Sequence, residues 1–121
     1  MRNIVEIAFG ALFLAGGTFN LLYAYRKGEE FFGSFRDGAF VPGAKRLIET
    51  VVMPRTRLFA VLIAVYEYAV AAAILSRGAY VVPGLYAGAA FAFGTAVISN
   101  KPGMIVNTVM GALLLWLAVT A

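Results

Sequence analysis

The sequence predicts an all-α membrane protein: a four-transmembrane-helix up-down bundle with a long, partly helical interfacial segment between helices 1 and 2. Three observations carry this. The chain of 121 residues is 62% hydrophobic and only 13% charged, too few charges for a water-soluble domain to cover its apolar surface. Its apolar residues gather into four runs, 4–25, 58–76, 79–99 and 102–120, each near the roughly 20 residues that cross a hydrocarbon core. The turns Arg77-Gly78 and Asn100-Lys101-Pro102 are so short that the last three helices must be antiparallel neighbours. The whole chain, 1–121, reads as a single membrane domain.

The first run reaches Tyr25, carries Asn20 and ends in Tyr-Ala-Tyr. It lacks the small-residue cleavage site of a signal peptide and reads as a retained span. One stripe at helical spacing collects Glu6, Gly10, Phe13, Gly17 and Asn20. Small residues repeating in this way let membrane helices approach closely, and most of the glycines read as packing residues. Glu6 lies about one turn from the terminal side, where it favours the helix N-terminus electrostatically, so a structural role is expected of it.

Residues 26–57 are too long a connection to be structureless in a compact protein. Within them Glu29-Glu30-Phe31-Phe32-Gly33-Ser34-Phe35 places three phenylalanines on one side of a helix. Residues 44–53 set Leu47, Ile48, Val51 and Val52 against Lys45, Arg46 and Glu49. Both read as amphipathic helices lying in the membrane interface, their apolar faces touching lipid or capping the bundle. Val41-Pro42-Gly43 supplies the turn between them, and Pro54 either stops the second or opens the next span.

The second run, LFAVLIAVYEYAVAAAILS, holds one carboxylate, Glu67, at its middle. At about 1.5 Å per residue Glu67 sits roughly 13 Å from either end, too deep to reach the head groups. An ionisable group at that depth marks a functional site by default, and a neutral hydrogen-bonded acid is the structural alternative. Tyr66 and Tyr68 flank it and are expected on other faces. The third and fourth runs carry the stripes Gly84, Gly88, Phe91, Thr95, Ser99 and Gly103, Asn107, Gly111. Pro83 and Pro102 fall early in their helices, where a missing N–H costs nothing. Tyr23, Tyr25, Tyr80 and Trp116 near the span ends read as interfacial anchors.

Orientation follows from the cations. Arg26, Lys27, Arg36, Lys45, Arg46, Arg55, Arg57 and Lys101 lie on the side of the long segment, against Arg2 and Arg77 on the side of the termini. The positive-inside rule places 26–57 in the cytoplasm and both termini outside, in a multi-pass protein of the cell membrane. The net charge of +4 therefore points to anionic lipid at the basic side, with no nucleic acid as partner. With neither cysteine nor histidine in the chain, thiolate chemistry and the usual haem ligand are excluded. No metal-ligand cluster, phosphate loop or nucleophile triad is present, and no cofactor is held covalently.

Threading the spans through a bilayer gathers Asn20, Thr95, Ser99 and Asn107 near the basic side. Glu67 lies beneath them, and Arg55, Arg57 and Lys101 ring the mouth. This describes a polar funnel floored by an acid, suited to a proton path or to the head group of an amphipathic ligand. The alternative is a set of interhelical hydrogen bonds worth about 0.6 kcal/mol each.

The residues Gly10-Ala-Leu-Phe13-Leu-Ala-Gly-Gly17, the long connection closing on Pro54, and Tyr66-Glu67-Tyr68-Ala-Val-Ala-Ala-Ala-Ile-Leu75 resemble the DoxX-like family of small four-helix membrane proteins. That resemblance spans most of the chain and aligns Glu67 with the family's mid-helix acid. Asn20 stands where the family often has a basic residue. The resemblance implies a non-catalytic subunit, or a quinone- or lipid-binding component, of a membrane oxidoreductase or other membrane complex. The residues also leave open a small proton-coupled transporter using Glu67, although transporters of that design have short connections throughout, and a purely structural membrane subunit. The small interior of four spans and the glycines of the third span favour a homo-oligomer or a place in a larger complex.

Overall fold

The structure, a computed structural model, describes residues 1–121. It contains five helices and no strand: α1 Arg2–Ala24, α2 Gly28–Gly38, α3 Ala44–Leu75, α4 Val81–Ile98 and α5 Lys101–Val119. All but α2 are long and apolar enough to cross a membrane. Only 28 of the 121 residues are buried within the chain, while Ile4, Leu12, Leu62, Val65, Ile105, Val109 and Leu113 lie on the outside. An apolar exterior of this extent would aggregate in water and is what lipid solvates.

The helices pair as α1 with α3 and α4 with α5, and α3 joins the two pairs by packing on α4. Phe13, Val70, Ile74, Leu85, Leu114 and Leu117 form the central core. Small residues set the spacing. A methyl at Gly84 would stand 2.8 Å from the Ala73 Cβ, and one at Gly111 would stand 2.8 Å from the Phe93 ring. The third-span glycines expected to receive a second copy are thus largely used inside the chain, since Gly88 faces Phe13 and Val70.

Helix ends follow local chemistry. The Asn100 side chain accepts from the Gly103 N–H at 2.9 Å and Pro102 occupies the first turn of α5, so two of the helix's needs at that end are met at once. Gly43, at φ 86°, is the left-handed residue that opens α3. In the turn after α3 the left-handed residue is Arg77, at φ 57°, although glycine follows it. A side chain tolerates that conformation only when other contacts hold it, and for Arg77 those contacts lie at Glu6.

The second amphipathic stretch is not a separate surface helix. Residues 44–53 run on into the second span, making α3 32 residues long. Pro54 marks a break rather than a stop: the helix narrows to a 3₁₀ turn over Met53–Arg55, and Arg55, at φ −137° and ψ 43°, leaves helical geometry before Thr56 resumes it. A missing N–H and a crowded pyrrolidine ring account for the break. There the backbone passes so close to α2 that a methyl at Gly28 would stand 2.5 Å from the Thr56 Cβ. Near the end of α2 the Arg36 guanidinium, 3.0 Å from Asp37, holds that carboxyl below the usual carboxylate range.

Candidate functional site

Glu67 lies on the inner face of α3 and is 6% exposed. Its partner is Asn20, whose Nδ2 donates to Oε1 at 2.5 Å. The same nitrogen donates to the Gly16 carbonyl at 2.9 Å. Since that carbonyl can only accept, the amide's orientation is fixed: nitrogen toward Gly16 and Glu67, oxygen away. Asn20 Oδ1 is buried and has no partner.

The backbone of α1 changes at this residue. From Asn20 to Ala24 it forms a π turn, closed by the Tyr25 N–H donating to the Asn20 carbonyl at 2.9 Å. One turn earlier, Gly16 leaves room for the carboxyl, because any Cβ there would overlap Glu67 Oε2. Gly16 is thus a site residue that the spacing of the first-span stripe missed. The available signal was its position four residues before Asn20, on the same helical face.

Beside this pair lies a cavity of about 550 Å³. Asn20 and Glu67 provide its polar wall together with Thr95, and Phe19, Phe31, Phe32, Phe35, Ile63 and Phe91 make it aromatic and apolar. The phenylalanines of α2 therefore face the acid as well as the surface. Phe31 stacks edge-on with Phe19, Phe32 and Phe35 at centroid distances of 5.5, 5.0 and 5.2 Å. Tyr66, expected on another face, also lines the cavity; its hydroxyl donates to the Ala87 carbonyl at 2.7 Å and its ring stacks on Phe91. Tyr68 turns away and meets Thr18 at 2.8 Å. No lysine or arginine lines the cavity.

The polar funnel is divided. Thr95, Ser99 and Asn107 line a second hollow of about 300 Å³ with Ser34 and Asn100, and Thr95 and Phe35 border both spaces. Asn107 does not reach Glu67; its Nδ2 donates to Gly103 of its own helix at 2.8 Å, and Ser99 Oγ donates to the Thr95 carbonyl at 2.6 Å. Backbone carbonyls one turn back satisfy both side chains locally. The basic residues do not ring the Glu67 cavity either. Arg57 lies over the Tyr25 ring at 5.4 Å and borders a polar cleft of about 350 Å³ at the start of α2. Arg55 donates to the Val51 carbonyl at 3.0 Å, and Lys101 lies over Phe40 at 5.9 Å. Aromatic rings and carbonyls at the surface draw these cations outward.

At the opposite end, Glu6 is buried rather than reaching the interface. Arg2 Nε approaches one carboxylate oxygen at 3.1 Å and Arg77 Nη2 the other at 2.8 Å. Arg77 also donates to Asn3, and Arg2 to the Leu117 carbonyl and the Thr120 hydroxyl. This clamp ties α1 to the α3–α4 turn and to the end of α5.

No protein-family model, curated protein or solved structure matches the chain.

Proposed function

We propose that the chain is a membrane-embedded binding subunit whose Glu67 cavity holds the head of an amphipathic small molecule, a quinone or a lipid. The observation that carries this reading is a cavity with an aromatic, apolar wall and one polar corner, Glu67 with Asn20. That combination matches small-molecule sites, where apolar surface supplies affinity and a few placed polar groups supply orientation. The resemblance to the DoxX-like family favours a place in a membrane oxidoreductase complex. Because the chain has no cysteine or histidine, electron transfer would fall to the ligand or to a partner protein. In native membranes, gently solubilised protein is expected to carry a stoichiometric quinone or lipid detectable by solvent extraction and mass spectrometry. Gly16→Leu, which fills the space of the carboxyl, is expected to reduce its occupancy at least tenfold. Unchanged occupancy in that variant would refute the reading, and substrate-driven proton movement in proteoliposomes would favour a proton-coupled transporter.

The proposed setting is the cell membrane, with 26–57 cytoplasmic, both termini outside, and anionic lipid against the eight cations of that side. Because the chain has no native cysteine, single cysteines at the exposed positions Asp37 and Ala121 give a clean test. An impermeant thiol reagent applied to intact cells is expected to label position 121 and spare position 37. The reverse pattern would invert the orientation, and labelling of both would refute a four-span topology.

A further inference from the structure

The reading of the cavity as an amphipath site is deepened by the hydrogen-bonding polarity of its corner, and the inference rests on that reading. Asn20 spends its amide nitrogen on two acceptors, the Gly16 carbonyl and Glu67 Oε1. Its oxygen, in a residue only 6% exposed that lines the cavity, has no donor anywhere in the chain. The other lining side chain able to donate strongly, the Tyr66 hydroxyl, is already engaged by Ala87. No lysine or arginine borders the space. The corner therefore offers acceptors and lacks cationic donors.

We infer that the cavity selects a neutral amphipath whose head donates hydrogen bonds, a phenol or an alcohol, and discriminates against anionic amphipaths. Water in the empty corner can donate to Asn20 Oδ1, and a ligand that displaces it must bring a donor or leave a buried acceptor unpaired. An anionic head would add acceptors beside a carboxyl group with no cation to offset the charge. The aromatic wall contributes contact with a ring or an alkyl tail without regard to the head. Of the ligands proposed above, a hydroquinone or an alcohol-headed lipid meets this requirement. A quinone or a fatty acid does not.

Four probes of one chain length separate the possibilities: 4-dodecylphenol, its methyl ether 4-dodecylanisole, dodecanoate and dodecyltrimethylammonium. Their affinities for the wild-type protein are measured by native mass spectrometry from the same detergent. The phenol is expected to bind about tenfold more tightly than the ether, the worth of one hydrogen bond to a buried acceptor, and dodecanoate the most weakly of the four. Asn20→Leu is expected to abolish the difference between phenol and ether while leaving binding of the ether; if that variant does not fold, the wild-type ratio alone decides. Equal binding of phenol and ether would overturn the inference and leave the amphipath site standing. Tighter binding of dodecanoate or of the ammonium probe would overturn it in favour of an anion or a cation site. Failure of all four to bind would overturn the inference and the underlying reading together.

Discussion

Glu67→Leu is expected to destabilise the protein by about 1–3 kcal/mol and to abolish its activity, whereas Glu67→Gln should retain stability within about 0.5 kcal/mol and still lose activity. The two substitutions differ in what they leave for Asn20. With leucine, the Asn20 amide loses the acceptor it holds at 2.5 Å, and a buried donor deprived of its partner carries its desolvation penalty. With glutamine, a carbonyl oxygen remains in place of Oε1 and the side chain keeps its volume against Gly16, so the packing survives. What glutamine removes is the exchangeable carboxyl proton and the ability to carry charge. Melting in detergent measures the first effect, and restoration of the gene-deletion phenotype in the host cell measures the second. A Glu67→Gln protein that restored the phenotype fully would reduce Glu67 to a hydrogen-bonding residue. Equal stability of the leucine and glutamine variants would refute the account of the Asn20 bond.

The other large effect is expected at the far end. Glu6→Ala should cost about 2–3 kcal/mol: breaking a buried pair costs about 3–5 kcal/mol, discounted here because the two arginine side chains are 35% and 32% exposed and water screens them. The loss has two sources. Both guanidiniums lose their anion, and they then face each other across a space closed to solvent on the glutamate side. Glu6→Gln keeps hydrogen-bonding capacity without charge and should cost about half as much, and Arg77→Ala less than Glu6→Ala, because Arg2 still pairs with Glu6. Thermal unfolding of the three variants in one detergent gives the order directly. A Glu6→Ala protein as stable as wild type would show that the clamp contributes nothing to stability.

Much of this architecture was legible in the sequence because lipid imposes a simple rule on span length and composition. The four apolar runs are the apolar parts of α1, α3, α4 and α5. Antiparallel threading from short turns also placed Asn20 near Glu67. What the sequence did not disclose was side-chain choice between equivalent partners. Asn107 and Ser99 share a depth with Asn20, yet each is satisfied by a carbonyl of its own helix, and residue type and depth do not distinguish those outcomes. The cations near the expected mouth were drawn to Tyr25, Phe40 and a backbone carbonyl. The enclosure of Glu6 was within reach. Glu6 and Arg77 lie at the same end of adjacent antiparallel helices, so their opposite charges share a level, but reading Glu6 through its own helix terminus alone concealed the partner. Nor did the amphipathic pattern of α2 reveal that its phenylalanines line the cavity, because an apolar face has the same spacing whether it meets lipid, protein or a ligand.

The π turn at Asn20–Ala24 has a consequence for how this cavity depends on chain length. A π turn closes its hydrogen-bonded ring with one residue more than an α turn, so it is the conformational equivalent of a single-residue insertion within a helix. A chain shorter by one residue between Asn20 and Ala24 would close the same turn as ordinary α-helix and keep every apolar run intact. Everything after it would then arrive rotated by about 100° about the axis of α1. Phe31, Phe32 and Phe35 would be redirected from the acid without any change in their identity or spacing. The cavity is therefore encoded partly by residue count, and a one-residue deletion invisible to composition or hydropathy would dismantle it.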